Sequence, residues 1–481
     1  MLRKWSSEQQ GAIDEIAFGQ GHVQIESVAG SGKTSVIVAG CHEIPRGVKA
    51  IVVAFNKSIA TELEARLKGS GVVSGTFHSV CFSFIKSRVG KVKVDAQKCY
   101  KLLNKKYPEM YEARMEVVRL VGLMKNNGVG LLIPNSVEIV EELRENYDIT
   151  HEKFSPIEIV NAARAVFKLS KQDIGNIDFD DMIYLALSFI VERGWQMDKW
   201  DVVIVDEFQD MNEVQLSILE VMGDRIIGVG DRAQGIYGFR GAGTDTMNIA
   251  RERWNMKEVP MTVTWRCPLK VVQHANQWVP QLQAREGAPD GIVEWTEYDG
   301  IWQLLRPEDC MVICRNNFPL FKVAMKLLLE KRSFNMPGNF PKKLIGFVKH
   351  FKADNIQQFR VRLQEWWEAK RTELMEKKKF GALEREEDKY LSLMALQKEC
   401  ISVQELEQKL NDMMRSSYGP LLTTVHGAKG LEAERVIVLM PELMPSKYAQ
   451  SDSELQQEEN LMYVAATRAG LELYYVSGEH G

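Results

Sequence analysis

The chain has 481 residues, of which 45% are hydrophobic and 26% are charged, and its formal net charge is −4. This length predicts two or more domains, and the composition is that of a soluble globular protein. The charge excludes a basic surface over the whole protein but is compatible with a local nucleic-acid groove. No apolar run approaches the ~18 residues of a membrane helix, and MLRKWSSEQQ lacks the pattern of a signal peptide. Seven scattered cysteines indicate a reducing compartment, so we expect a cytoplasmic protein.

Short β-branched apolar runs recur along the chain, each followed by a glycine or polar turn and a helical stretch. Near-continuous apolar strands of this kind are typical of parallel sheets covered on both faces, so they predict an α/β fold. The runs are HVQIESV (22–28), AIVVAF (50–55), DVVIVDE (201–207), RIIGVGD (225–231), MVICR (311–315), RVIVLM (435–440) and ELYYVS (472–477).

Two long stretches interrupt this pattern. Residues 83–174 have almost no strand signal, and residues 346–417 carry apolar side chains at helical spacing. We interpret both as mainly helical insertions into α/β domains. The first domain is then expected at 1–82 and 175–258, and the second at 259–345 and 418–481.

The segment SVAGSGKT, residues 27–34, lies between a predicted strand and a predicted helix, which is the context of a phosphate-binding loop. Backbone N–H groups and the positive helix end would hold phosphate oxygens, Lys33 would add a charge, and Thr34 would ligate Mg²⁺. Ser27 stands where the strict pattern has glycine. A chance glycine-rich turn is the alternative. The nucleotide-contacting residues predicted here are Ala29, Gly30, Ser31, Gly32, Lys33 and Thr34.

The run DVVIVDEFQD ends an apolar strand with two adjacent carboxylates. Asp206 at the strand end is expected to hold Mg²⁺, and Glu207 to accept a proton from the water that attacks the γ-phosphate. Taken alone, the pair could equally cap a following helix. Together with the phosphate-binding loop, it predicts a nucleoside triphosphate and Mg²⁺ as ligands and hydrolysis at the γ-phosphate as the reaction.

Further segments form an ordered series along the chain. They are WSSEQQGAI (5–13), AFNKSIATEL (54–63), GTFHS (75–79), VGDRAQGIYGFRGA (229–242), TVTWRCP (262–268), TTVHGAKGLEAERVIVL (423–439) and EENLMYVAATRA (458–469). The series resembles the motifs of superfamily 1 DNA helicases of the UvrD/PcrA/Rep type, and NKSIA and TFHS resemble the F-box DNA helicase branch. The resemblance implies two RecA-like P-loop domains with parallel sheets, each interrupted by a mainly helical insertion.

The resemblance also implies catalytic residues on both domains. Gln234 would sense the γ-phosphate, and Arg266 and Arg468 would act as arginine fingers from the second domain, so that bound ATP closes a cleft. Either arginine alone could instead form a surface salt bridge. The remaining nucleotide contacts implied are Gln9 and Trp265 at adenine, and Gly430 and Glu432 in the GLE segment, the latter near the ribose and γ-phosphate.

Single-stranded DNA, including its junctions with duplex DNA, is the implied partner. Tracking along a single strand needs aromatic platforms for bases and polar contacts to phosphates. For any one aromatic residue, a place in the core is the alternative. The implied DNA contacts are Phe55, Asn56, Thr76, Phe77, His78, Tyr237, Phe239, Thr424 and His426.

We therefore expect an ATP-dependent DNA helicase or translocase that is able to act as a monomer and moves 3′→5′, the direction following from the resemblance alone. Two alternatives stay open: a translocase that mainly strips proteins from single-stranded DNA, and a nucleotide-dependent DNA-binding switch without translocation. Ser35 stands where many relatives carry an arginine, and residues 346–417 are short for an insertion of this type. Thinner adenine contacts and a reduced second accessory domain are therefore expected.

Overall fold

The computed structural model of the chain divides into two compact units, Met1–Thr262 and Val263–Gly481. The residues that it describes are 4–54, 56–147, 149–151, 153–236, 246–338, 340–376, 379–415, 418–449 and 451–478.

The first unit is built on a parallel sheet. Its strands are β1 (Val23–Ser27), β2 (Ala50–Ala54), β3 (Val73–Thr76), β4 (Lys93–Val94), β5 (Asn176–Ile177), β6 (Trp200–Asp206), β7 (Gly223–Gly230) and β8 (Lys257–Met261). The order in the main sheet is β3–β2–β6–β7–β1–β8, and β4 pairs with β5 apart from it. Side chains of the fully buried β2 alternate between two apolar cores, with Ile51 in one and Val52 in the other. Burial on both faces explains why this strand reads as a continuous apolar run.

The parallel register brings the carboxyl ends of three strands together. Glu26 of β1 pairs with Gly230 of β7, and Asp206 of β6 pairs with Val229 of β7. The loop that follows β1 therefore lies beside the ends of β6 and β7. In parallel α/β sheets, ligands bind at this carboxyl edge.

Helices connect these strands. They are α1 (Ser7–Phe18), α2 (Lys33–Glu43), α3 (Lys57–Arg66), α4 (Phe77–Val89), α5 (Lys98–Lys106), α6 (Arg114–Asn126), α7 (Val137–Asn146), α8 (Pro156–Gln172), α9 (Phe179–Arg193), α10 (Glu213–Met222) and α11 (Thr246–Trp254). Side-chain caps fix several of the starts. Ser6 and Gln9 form a reciprocal capping box at α1, and Ser155 with Glu158 does the same at α8, which begins with Pro156.

Four charged side chains are buried together where α5, α6 and the start of α9 meet: Lys98, Lys125, Asp178 and Asp181, here called the four-charge cluster. The Nζ of Lys98 lies 2.7 Å from Asp181, and the Nζ of Lys125 lies 2.7 Å from Asp178 and 2.8 Å from Asp181. The two lysine side chains are 2% exposed and that of Asp181 is 0% exposed. Burial of these charges is tolerated because each sign is paired and hydrogen-bonded.

The second unit has a parallel sheet of its own. Its strands are β9 (Val263–Thr264), β10 (Gln283–Ala284), β11 (Ile292–Thr296), β12 (Cys310–Cys314), β13 (Leu421–Thr424), β14 (Ala433–Leu439) and β15 (Ala469–Val476). The order is β11–β15–β14–β12–β13, and β9 pairs with β10 separately. Strands are present at all seven predicted runs, and the predicted α/β class with two parallel sheets is confirmed.

The helices of the second unit are α12 (Leu269–Ala275), α13 (Ile301–Leu304), α14 (Asn317–Leu329), α15 (Phe340–His350), α16 (Ile356–Glu376), α17 (Phe380–Lys398), α18 (Val403–Met413), α19 (Val425–Ala428) and α20 (Asp452–Ala466). Apolar side chains at helical spacing on α16, among them Ile356, Phe359 and Leu363, are buried in the same core as strand residues of the sheet. None of the helices within the described ranges is long and apolar enough to span a bilayer. The boundaries of the two helical insertions stay a prediction.

Candidate active site

The loop after β1 has the backbone shape that phosphate binding requires. Gly30 and Gly32 have φ angles of 71° and 87°, in the left-handed region that other residues rarely adopt. Gly32 occupies the N-cap position of α2, and Lys33 begins the helix. A glycine has no side chain with which to cap, so the N–H groups of the first turn stay available to an anion.

Ser27, which departs from the strict loop pattern, has a structural task. Its Oγ donates a hydrogen bond of 2.7 Å to the carbonyl oxygen of Gly230, and the residue is buried. This bond ties the end of β1 to the end of β7. The substitution of glycine by serine therefore reinforces the base of the loop and leaves Gly30 and Gly32 unchanged.

Gln9, predicted to contact adenine, lies against the same loop. Its Nε2 donates a hydrogen bond of 2.9 Å to the carbonyl oxygen of Ser31, and both residues are buried. Among the described residues, the buried hydroxyl of Ser31 has no hydrogen-bond partner. A buried hydroxyl of this kind needs a polar partner, which a nucleotide phosphate would provide.

Two adjacent carboxylates lie at the end of β6: Asp206 is the last residue of the strand and Glu207 follows it. Burial raises the pKa of Asp206 to about 7 and the Glu207 carboxylate acts in the same direction, whereas the charge of Lys33 lowers it. Glu207 adopts a left-handed backbone conformation, φ 54°, and its N–H donates to Asp206 Oδ1 at 3.0 Å. A buried carboxylate with so little countercharge is suited to a divalent cation.

The donor set fits a magnesium ion that arrives with a nucleotide. Within the part of the chain that the structure describes, no cluster of three or more His, Cys, Asp or Glu side chains could hold a metal alone. Mg²⁺ is commonly held by one or two protein oxygens plus substrate phosphates and waters. Asp206 and the hydroxyl of Thr34, the second residue of α2, are the oxygens that would hold it.

Gln234, the predicted γ-phosphate sensor, lies in a short turn that follows β7. Its Nε2 donates to Asp231 Oδ2 at 2.6 Å, and both residues are buried. Burial raises the pKa of Asp231, while Lys33 and this hydrogen bond lower it. Gln209 lies next to Asp231, whose N–H donates a hydrogen bond to it. The sequence predicts no role for either residue, although Gln209 belongs to DEFQD and Asp231 to VGDRAQ.

In the second unit, residues from three separate predicted segments converge. The Nε of Arg266 donates to Glu432 Oε2 at 2.5 Å, and its Nη1 donates to the carbonyl oxygen of Thr467 at 3.1 Å. Arg468, 1% exposed, donates to the carbonyl oxygens of Val464 and Leu431 at 3.0 and 3.1 Å. Both guanidinium groups are thus held in place by their own unit.

Trp265 and Gly430 are two further nucleotide-contact candidates of this unit. Trp265 is 41% exposed, which leaves part of its ring face open to a base. Gly430 has a φ of 81°, a left-handed conformation that favours glycine at the turn before Glu432. Their nucleotide contacts stay predictions.

The polar DNA-contact candidates lie where strands end and helices begin. Asn56 caps α3, Thr76 caps α4 and Thr424 caps α19, each through its side-chain oxygen. Because Ala54 of β2 pairs with Thr76 of β3, the first two candidates come from adjacent strand ends.

The remaining DNA-contact candidates differ in surroundings. Phe77 is 3% exposed and belongs to the core, so its ring packs against protein in this structure. Burial lowers the pKa of His78, which leaves its imidazole neutral at neutral pH. His426, on α19, is half-buried. Phe55, Tyr237 and Phe239 lie outside the described residues, and their roles stay predictions.

The carboxyl edge of the parallel sheet carries the turn of Gly30 and Gly32, followed by Lys33, and also Asp206. This arrangement places the first unit among the P-loop nucleotide-binding folds. A family model described as UvrD/REP helicase N-terminal domain matches residues 5–255. A second, described as UvrD-like helicase C-terminal domain, matches residues 309–479. The chain belongs to the UvrD/REP helicase family.

Individual relatives are distant and longer. The chain is 26% identical over 290 residues to an ATP-dependent DNA helicase Rep of Buchnera aphidicola, covering 54% of this chain and 41% of that protein. It is 23% identical over 334 residues to an ATP-dependent DNA helicase PcrA of Staphylococcus epidermidis, covering 62% and 42%. It is 24% identical over 511 residues to F-box DNA helicase protein 1 of Schizosaccharomyces pombe, covering 97% and 57%. The chain therefore spans about half the length of these relatives.

Proposed function

We propose that the chain is an ATP-driven motor that moves 3′→5′ on single-stranded DNA and uses ATP hydrolysis to separate duplex strands. The observation that supports the proposal is that both units carry the residues to which the motifs and the family resemblance assign hydrolysis: Lys33, Glu207 and Gln234 in the first, and Arg266 and Arg468 in the second. A protein that used the nucleotide only as a binding switch could lose these residues without losing its function.

Each residue of the first unit has a distinct task in this proposal. The amides of the glycine loop and the Lys33 ammonium hold the phosphates of ATP. Glu207 accepts a proton from the attacking water, and Gln234 donates a hydrogen bond to the γ-phosphate. Asp206 and Thr34 would hold Mg²⁺, which when bound neutralises charge on the β- and γ-phosphate oxygens.

The second unit supplies the remaining positive charge. Arg266 and Arg468 stabilise the charge that develops on the γ-phosphate during its transfer to water, a contribution that is typically worth 10³- to 10⁵-fold in rate. Because they belong to a different unit from Lys33, we propose that ATP binding and hydrolysis drive a cycle of approach and release, which advances the protein along DNA.

Contacts to single-stranded DNA are proposed at the strand ends of both units. The hydrogen-bonding candidates are Asn56, Thr76, Thr424 and His426, together with a neutral His78. Base stacking is proposed for Phe55, Tyr237 and Phe239, since stacking on aromatic rings is tolerant of sequence and suits a protein that moves along a strand.

The proposal is tested by strand displacement on duplexes that carry a single-stranded tail at either the 3′ or the 5′ end. The wild type should require ATP and a 3′ tail, and Lys33→Ala should unwind neither substrate. Lys199→Ala is a matched control, since Lys199 precedes the amino end of β6 and its exposed ammonium pairs with Asp224. This variant should behave as the wild type.

Other results would point to different functions. Equal unwinding from both tails would contradict the proposed direction. ATP turnover with displacement of a bound protein but no strand separation would favour a protein-stripping translocase. Negligible ATP turnover with saturating single-stranded DNA would overturn the motor and favour a nucleotide-dependent binding switch.

A further inference from the structure

A buried glutamine links the two catalytic segments of the first unit. Gln209 follows Glu207 by two residues and is 5% exposed. Its Nε2 donates a hydrogen bond to Glu207 Oε2 at 2.5 Å, and its Oε1 accepts one of 3.0 Å from the N–H of Asp231. Both ends of the amide are therefore used, one on the proposed general base and the other on the turn that leads to Gln234.

The orientation of this amide is fixed by its neighbours. A carboxylate can only accept hydrogen bonds and a backbone N–H can only donate one. Turning the Gln209 amide by 180° would place its oxygen against Glu207 and its NH₂ group against the Asp231 N–H, so both bonds would be lost. Glutamine is a neutral side chain with a donor and an acceptor that is long enough to bridge Glu207 and the N–H of Asp231, whereas asparagine is one methylene shorter.

The connection continues on the far side of Asp231. The carboxylate of Asp231 accepts hydrogen bonds from the N–H of Ala233 and from Gln234 Nε2, at 3.1 and 2.6 Å. A line of hydrogen bonds therefore runs from Glu207 through Gln209 and Asp231 to Gln234. It joins the residue proposed to activate water to the residue proposed to contact the γ-phosphate.

The end of β7 provides the space for this arrangement. A Cβ added to Gly230 would lie 2.5 Å from Gln209 Oε1 and 3.1 Å from its backbone nitrogen. At 2.5 Å one of the two groups must move, so a larger residue at 230 would displace the Gln209 amide. Gly230 also accepts the hydrogen bond from Ser27 at the base of the phosphate-binding loop.

We infer that Gln209 is a positioning residue for ATP hydrolysis, which orients the Glu207 carboxylate and fixes its place relative to Gln234. Gly230 is required because it leaves room for the Gln209 amide. The inference rests on the proposed ATPase function. It predicts an effect on the chemical step and little effect on nucleotide binding, because the residues of the phosphate-binding loop are untouched.

The test is steady-state ATP hydrolysis with saturating single-stranded DNA, together with ADP binding measured by calorimetry. Gln209→Met keeps the volume but removes both hydrogen bonds, and it should lower kcat at least tenfold, since misplacing a catalytic group by about 1 Å costs up to 10²-fold. The KM for ATP and the Kd for ADP should stay within about threefold of the wild type. Gln209→Glu should be at least as impaired, because it sets a second carboxylate against Glu207.

Two further variants separate positioning from a general loss of structure. Gln215→Met is the matched control, because Gln215 also accepts a hydrogen bond from a backbone N–H, that of Asn212, but does so in the capping box at the start of α10. It should retain the wild-type kcat. Gly230→Ala should lower kcat in the same way as Gln209→Met, and the double variant should lose no more than the worse single variant.

The outcomes are distinguishable. A wild type that hydrolyses ATP while Gln209→Met retains kcat within twofold would overturn the inference alone. Losses that multiply in the double variant would show that Gly230 acts independently of Gln209, which also overturns it, as would a loss confined to ADP affinity. A wild type without ATP turnover would overturn the proposed function, and the inference with it.

Discussion

Removal of one acid from the four-charge cluster should strongly destabilise the helical part of the first unit. Asp181 accepts hydrogen bonds from Lys98 at 2.7 Å, from Ser170 Oγ at 3.2 Å and from the N–H of Asp178 at 3.1 Å, and it lies 2.8 Å from the Lys125 ammonium. Asp181→Asn keeps the shape but leaves two buried ammonium groups facing one carboxylate. Breaking a buried ion pair from one side costs about 3–5 kcal/mol.

A balanced replacement should cost less than the single one. In Lys98→Met combined with Asp181→Asn, one charge of each sign is removed and Lys125 still faces Asp178 at 2.7 Å. The carbonyl oxygens of Ser170 and Asp173 lose the Lys98 donor, so some cost remains. We expect the two substitutions to couple by at least about 1 kcal/mol, within the range measured for contacting residues.

The assay is native-state hydrogen exchange with peptide resolution, because one free energy of unfolding is not defined for a chain of two units. Peptides from α5, α6 and α9 should exchange roughly 100- to 4000-fold faster in Asp181→Asn, by the conversion of 1.4 kcal/mol per tenfold. Asp198→Asn, at an exposed aspartate, is the control and should leave these peptides unchanged. A change below about fivefold in Asp181→Asn, or additive effects in the double variant, would refute this reasoning.

Two further predictions concern charge. Arg266→Lys should lower kcat for ATP hydrolysis by about 10³-fold or more with little change in nucleotide affinity, because lysine lacks the planar fork that holds both Glu432 and the Thr467 carbonyl. The control variant Arg285→Lys should have no effect on kcat. A loss of kcat under tenfold in Arg266→Lys would contradict the proposed role of Arg266. Burial opposes the charge of Asp178, but Lys125 and the N–H of Asp181 outweigh it and lower its pKa below 3.8. Its contribution to stability is therefore complete above that value and lost as pH falls through the lower folded pKa. In the wild type, the exchange protection of α6 and α9 should decrease as the pH is lowered below about 4, and in Asp178→Asn it should decrease less steeply. A loss of protection that is already complete at pH 5 would contradict this prediction.

Burial explains which parts of the fold could be predicted from the sequence. The apolar runs of β2, β6 and β12 were identified because each is covered on both faces. β8 and β11 were missed, since KEVPM and IVEWT are edge strands that carry charged and exposed residues. Such strands lack the continuous apolar run that marks a strand buried on both faces.

The site divides along similar lines. Lys33, Asp206 and Glu207 could be predicted because their motifs are local in sequence. The position of Gln209 could not, because its partners lie at residues 207 and 231, and only the pairing of β6 with β7 brings those together. The structural role of Ser27 could not be predicted for the same reason, since its hydrogen-bond partner, Gly230, is far away in the sequence.

The open edge of the first sheet has a consequence for how copies of this protein behave at high concentration. β8 lies at that edge, where Lys257 and Glu258 are charged and exposed, and Pro260 has no N–H to donate. Edge strands with charges and proline are poor templates for an added strand. This edge of the first sheet is therefore a poor site for edge-to-edge aggregation.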